Sequence, residues 1–326
     1  MRWAKNVVRT CMNIKVGEKV QVWVDEPLIR QGLVLVREMK GVGAETLFVV
    51  FPDSIRPIEK FSETLSATSK KTDALIWWFN KLVSDAELGA FLPVFTEFTV
   101  DGARIGFGVY IDDDMLENEM SADYTEINQR TEKLAKFING GKNVHLTAPG
   151  GTDIKFSIEG RRCLADSGFI HEKGIFRNLP AGEVFIAPVE ESANGVVVFD
   201  KSIVLAEIER GLLKTPITLS FKSGRVVKVE GGEEAAKLRK TVEEAGKGAD
   251  VIAELGIGTN DRARLMGNPM TDEKVLGTAH VAIGDNVHVP IGGKNEAKIH
   301  IDGIIGEPTV AVDGKTIMTK GKFVYS

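Results

Sequence analysis

Residues 19–51, KVQVWVDEPLIRQGLVLVREMKGVGAETLFVVF, decide the fold. Residues 19–25 alternate, with Val20, Val22 and Val24 on one face, which is the period of a half-buried strand. Residues 26–40 place Leu28, Ile29, Leu33, Leu35 and Val36 at helical spacing, and Gly41 and Gly43 follow as a stop signal. Residues 44–51 are a nearly continuous apolar run of strand length. Strand, helix and strand in such a short span form a βαβ unit, and a βαβ unit requires a parallel sheet.

The pattern extends in both directions. Residues 3–13 read as a short amphipathic helix. Residues 74–79 (ALIWWF) read as a strand, 83–91 as a short helix, 103–111 (ARIGFGVYI) as a strand and 125–138 as a helix. Residues 1–140 are therefore expected to form an α/β domain with a doubly wound parallel sheet. Such a domain invites a nucleotide reading, which the residues do not support. The first strand runs into Asp25-Glu26-Pro27, acidic and without the glycines that a phosphate cradle needs. Gly256-Ile257-Gly258-Thr259-Asn260 has two spaced glycines and lacks the third.

After Gly140-Gly141 the texture changes. Residues 143–149 and 153–160 alternate around Gly150-Gly151 as a hairpin. Residues 183–188, 195–200, 217–221 and 225–230 are further short strands, the last two joined at Ser223-Gly224. A helix over 233–245 interrupts them, and a strand over 298–305 and a hairpin about Asp313-Gly314 complete the series. Residues 141–326 are expected to be a strand-rich α+β domain.

Composition narrows the function classes. Over 326 residues, 43% hydrophobic and 27% charged content is that of an ordinary globular chain with ample core material. A net charge of −5 leaves no electrostatic footprint for nucleic acid, and no basic run suggests a membrane surface. Two distant cysteines, Cys11 and Cys163, fit a reducing compartment better than a disulfide framework. The N-terminal residues show no apolar core of a signal peptide and no stretch approaches a membrane span, so a cytoplasmic address is expected.

Three of the five histidines, His280, His288 and His300, fall within residues 278–306. In the strand KIHIDG, Lys298, His300 and Asp302 share one face while Ile299 and Ile301 share the other. An imidazole and a carboxylate side by side on a half-buried strand need a partner. A divalent metal is one, and a His–Asp hydrogen bond without metal is the other. Glu183 enters an apolar strand after Pro-Ala-Gly, and Glu254 follows Val251-Ile252-Ala253 into a glycine-rich turn. His280 lies amid apolar residues. Singly, each has an ordinary reading as a strand-end charge or a core histidine. Together they supply only oxygen and nitrogen donors, a set suited to zinc, cobalt, manganese or iron and to a two-metal hydrolytic site.

Four passages carry a resemblance: NLPAGEVFIAPVEESANGVVVFD, AELGIGTN, GTAHVAIGDN and KIHIDGII. In sequence and in order they resemble the thermophilic aminopeptidase family of aminopeptidases T and S. The likeness continues more weakly through residues 16–20, 102–104 and 121–124. It implies a homodimeric, leucine-preferring metallo-aminopeptidase with two divalent ions (zinc, cobalt or manganese). Carried over position by position, it implies Glu183, Glu254, His280, His300 and Asp302 as ligands, with Glu183 and Glu254 also the candidate catalytic carboxylates. The family tyrosine seven residues beyond the first histidine is Val287 here, with His288 beside it as a possible sixth ligand.

Hydrolysis of a small peptide substrate through a metal-activated water is the leading expectation. The general base is not evident, with Glu190 and Glu191 lesser candidates. The alternative uses His280, His300 and Asp302 alone, a two-histidine, one-carboxylate set for iron(II). That is the pattern of non-haem iron(II) oxygenases, and the ring-cleaving dihydroxypyridine dioxygenases resemble the same peptidases. A metal-binding protein without activity is a third possibility. Other features have plainer readings. Trp77-Trp78 reads as core, Asp112-Asp113-Asp114 as a turn with a helix cap, and His145 and His171 as structural. Arg161-Arg162 has no supported role, and Cys163 lacks a histidine partner for nucleophilic work.

Overall fold

The computed structural model describes residues 1–81, 85–203, 205, 211–287 and 291–324. The chain divides into two compact units, residues 1–128 with 168–181, and residues 129–167 with 182–326. This division differs from a single cut at residue 140. It falls inside the helix Tyr124–Ile138, and residues 168–181 return to the first unit.

In the first unit β1 (Lys19–Asp25), β2 (Glu45–Phe51), β3 (Ala74–Trp78) and β4 (Arg104–Gly108) are parallel, as the βαβ reading requires. The chain leaves for β5 (Asn143–Thr147), β6 (Asp153–Ser157) and β7 (Leu164–Asp166) in the second unit. It then returns as β8 (Phe176–Asn178) to complete the order β2-β1-β3-β4-β8. A three-residue strand has too little periodicity to be read from sequence.

The helix Ile29–Val42 ends at Gly43, whose φ of 90° lets its N–H reach the carbonyls of Met39 and Lys40. The expected helix over 83–91 lies partly outside the described residues, and the helix observed is Asp85–Val100. It is longer because Phe91, Val94, Phe95 and Phe98 bury one continuous face. Trp77 stands 4.5 Å from Phe91 and 4.8 Å from Trp23, ring centre to ring centre, so the tryptophans are core as expected. Asp112 caps its helix by accepting from the Met115 N–H at 2.7 Å. His171 Nε2 donates to the Thr10 carbonyl at 2.8 Å, in keeping with a structural histidine.

The second unit continues with β9 (Glu183–Ile186), β10 (Asn194–Phe199), β11 (Ile217–Lys222) and β12 (Arg225–Glu230). After the helix Glu233–Ala245 come β13 (Ile252–Gly258), β14 (Ala279–Gly284) and β15 (His300–Ile305), then β16 (Thr309–Val312), β17 (Lys315–Thr319) and β18 (Lys322–Phe323). They form an eight-stranded sheet, β12-β11-β10-β6-β5-β16-β17-β18, and a five-stranded antiparallel sheet, β15-β14-β13-β9-β7. One apolar core takes Val144, Leu146, Ile154 and Leu219 from the first of these and Val184, Ile186, Leu255, Ile257, Val281, Ile283 and Ile301 from the second. Burying each such side chain contributes roughly 1.5–3 kcal/mol. Alternation then forces the intervening residues of the five-stranded sheet onto its other face. Among the described residues, no helix is long and apolar enough to cross a membrane.

Candidate metal centre

The face of the five-stranded sheet opposite that core carries the chemistry. Antiparallel register aligns Asp302 with Ala282 and Ala282 with Glu254 in one cross-strand row. The next row holds His280 against Gly256, and the one beyond holds Glu183 against Gly258 on one side and Asp166 on the other. His300 sits against Gly284 at the start of β15. Small residues thus separate the donors and leave room between them.

Two local features make this possible. The register of β13 on β14 shifts between Ile252 and Glu254. Ile252 and Leu255 both face the core, so strict alternation from Ile252 would have buried Glu254 among apolar groups. The bulge turns it to the opposite face instead, the re-aiming that bulges perform beside functional sites. Gly256, read from sequence as part of a turn, lies within the strand. A Cβ there would fall 1.9 Å from His280 Nε2, so the imidazole lies flat across the bare backbone. This also removes any phosphate-cradle reading of Gly256 and Gly258.

The five expected residues come together. His280 Nε2 lies 3.3 Å from Glu254 Oε1 and 3.4 Å from Glu183 Oε2. His300 Nε2 lies 3.4 Å from Asp302 Oδ2 and 3.9 Å from Glu254 Oε2. Ligand atoms within 4.8 Å of one another group as Glu183, Glu254 and His280, as Glu254, His300 and Asp302, and as Glu273, His280 and Asp302. The two histidines fall in different groups, and Glu254 belongs to two of them. His288 lies outside the described residues.

The donors are prepared for a cation. His300 Nδ1 lies 2.6 Å from the Asp285 carbonyl, which can only accept, so Nδ1 carries a hydrogen and Nε2 is the nitrogen turned toward Asp302 and Glu254. Glu183 Oε2 and His280 Nδ1 are buried without a hydrogen-bond partner. An orphaned carboxylate oxygen beside an imidazole nitrogen is a costly arrangement that a divalent ion relieves. The residues present therefore fit a metal. Burial opposes charge on both imidazoles. For His280, the Glu254 hydrogen bond and the Glu183 charge overcome it and raise the pKa. For His300, the Asp302 charge does the same and lifts it to about 10. Burial also pushes the Glu183 carboxyl up, against the pull of Lys274.

Two residues that sequence reading missed stand here. Lys274 is buried, and its Nζ donates to Glu183 Oε1 at 2.7 Å and also to Glu273. Only their adjacency to GTAH signalled them. The lesser candidates for a base are placed elsewhere: Glu190 accepts from the Lys294 N–H at 2.7 Å and pairs with Arg161, and Glu191 is exposed. His145, read from sequence as structural, has Nε2 2.8 Å from Asp153 Oδ1, since the β5–β6 hairpin makes them diagonal neighbours.

Comparison with known proteins identifies the family. The family model described as NicX: 2,5-dihydroxypyridine 5,6-dioxygenase matches residues 3–325. Aminopeptidase AmpS of Bacillus subtilis (strain 168) is 27% identical over 195 residues, covering 54% of this chain and 46% of that protein. The 2,5-dihydroxypyridine 5,6-dioxygenase of Pseudomonas putida is 24% identical over 211 residues, covering 61% of this chain and 59% of that one. The matched stretches thus span about half the length of these relatives. The structure of the dihydroxypyridine dioxygenase from Pseudomonas putida KT2440 superposes with a TM-score of 0.79 at 18% identity, over 100% of this chain and 96% of that one, so the fold is shared. The chain belongs to the NicX, 2,5-dihydroxypyridine 5,6-dioxygenase, family, and its kinship extends to the aminopeptidases S and T that its motifs resemble.

Proposed function

We propose that the protein is a metallo-aminopeptidase in which Glu183, Glu254, His280, His300 and Asp302 would hold two divalent ions, zinc, cobalt or manganese, with Glu254 serving both donor sets. The carrying observation is the pair of donor groups, Glu183–Glu254–His280 and Glu254–His300–Asp302, with one carboxylate common to both. Two donor sets that would share one carboxylate suit a two-ion hydrolytic site better than a single ion. When bound, the ions would supply Lewis acidity toward the scissile carbonyl and lower the pKa of an attacking water.

The chain's own residues do the rest. Glu183, His280, His300 and Asp302 orient the site, and the Asp285 carbonyl keeps the His300 hydrogen on Nδ1. Glu273 is the carboxylate left over once the five ligands are assigned, and it groups with His280 and Asp302. Paired with the Lys274 ammonium, it would be the group to take a proton from an attacking water and return it to the departing amine. The free amino group of a small peptide would meet a carboxylate-rich wall, which favours an exopeptidase.

A second reading has its own support. The family description over residues 3–325 and the replacement of the family tyrosine by Val287 favour a ring-cleaving dioxygenase with one iron(II) at His280, His300 and Asp302. Metal analysis separates the two. Two ions per chain with turnover of aminoacyl chromogenic substrates is the expected result. One iron per chain with oxygen uptake on 2,5-dihydroxypyridine overturns it. Glu254→Gln should release both ions, whereas His300→Ala should release one and keep the other; an E254Q chain that retains two refutes the sharing of Glu254.

A further inference from the structure

Lys274 is the one lysine among the described buried residues, and no step above uses it. Its backbone is fixed. The Lys274 N–H donates to the Thr271 carbonyl at 2.9 Å and its own carbonyl accepts from the Asn260 N–H at 2.9 Å. Gly258 permits this: a Cβ there would lie 2.7 Å from the Lys274 carbonyl carbon and 2.1 Å from the Val275 oxygen. The turn is thereby pressed onto the end of β13, and the side chain drops among acids. Its Nζ donates to Glu183 and Glu273, and Asp166 acts on it electrostatically from beside Glu183.

Two buried carboxylates, Glu183 and Asp166, and the half-buried Glu273 therefore share one ammonium. A buried anion without a counter-charge is expensive, and removing one partner of a buried pair exposes that cost. The ammonium also takes Glu183 Oε1 only, leaving Oε2 turned toward His280 Nε2 at 3.4 Å. We infer that Lys274 is a built-in cation and positioning residue. It neutralises the acidic wall of the metal-free chain so that the sheet forms before loading, and it presents Glu183 to the first ion through a single oxygen. This inference rests on the metal-site reading above.

The test is Lys274→Met in the full chain, melted with chelator and with excess zinc, beside wild type. Chelated K274M should melt lower than chelated wild type by roughly 6–20 °C. Zinc should recover most of that deficit, so that the zinc-induced rise is larger in the variant. Lys274→Arg should stay near wild type in chelator. Glu183→Gln/Lys274→Met, with both partners neutral, should recover metal-free stability. A K274M chain that folds only with zinc supports the inference. A chelated melting temperature within about 2 °C of wild type, or an equal deficit with and without zinc, overturns it. If K274M folds under neither condition, an E183Q/K274M chain that also fails to fold overturns it, and one that folds supports it. Ion counting on wild type stands apart: a wild type that binds no ions sinks the metal-site reading, while the chelated deficit still reports on Lys274.

Discussion

Gly256→Ala isolates the flat seating of His280. The added methyl would lie 1.9 Å from His280 Nε2, 2.0 Å from Cε1 and 2.8 Å from Cδ2. Ordinary contact begins near 3.4 Å, so the ring must withdraw by roughly 1.5 Å, while a metal site tolerates displacements of only about 0.2 Å. Because the perturbation adds one methyl within a strand, the cost to folding is that of overpacking, about 1–3 kcal/mol. That corresponds to a Tm lower by roughly 2–12 °C. Loss of an outer partner alone weakens metal binding by about 10–100-fold, so displacing a ligand should cost at least about 100-fold. Competition against a chromophoric chelator measures the affinity, and thermal melts measure the fold. Gly89→Ala, where an added methyl meets nothing within 4 Å, is the control. A G256A chain that binds ions with wild-type affinity refutes the claim that this imidazole, in this position, is a ligand.

Two further outcomes follow from groups outside the ligand set. Burial would raise the Glu190 carboxyl, but hydrogen bonds from backbone N–H groups, Lys294's among them, and from Arg161 hold it below the usual carboxylate range. A depressed folded pKa stabilises above the unfolded value near 4.3 and loses that contribution as pH falls through the folded value. Glu190→Gln should therefore lower the urea midpoint at pH 7 and match wild type in strong acid; a deficit independent of pH would contradict this. Burial, reinforced by the Glu254 and Glu132 charges, pushes the Cys163 thiol up to about 12. Native protein at pH 8 should leave it unalkylated by iodoacetamide, with reaction only on unfolding, and stoichiometric native labelling by mass spectrometry would refute its burial.

The parallel sheet was legible because its apolar runs and helical spacing are local signals. The same holds for His300 and Asp302, which a two-residue period places together. What escaped was set by pairing between distant strands. The bulge that re-aims Glu254 exists only in the register of β13 on β14. Gly256 looks like a turn residue until His280 lies over it. Lys274 resembles any surface lysine until Gly258 lets its turn close against the sheet. The return of residues 176–178 to the first sheet carries no periodic mark at all. Motif resemblance located the five donors, but it gave no account of why the intervening residues must be small.

All five donors stand on neighbouring strands of one antiparallel ladder. Their mutual spacing is therefore dictated by inter-strand hydrogen bonding and not by how much polypeptide separates them. Insertions or deletions in the connecting segments can change the rim, and with it what is admitted, without retuning the donor spacing beneath. A scaffold of this kind can keep its donor spacing while the segments around it vary.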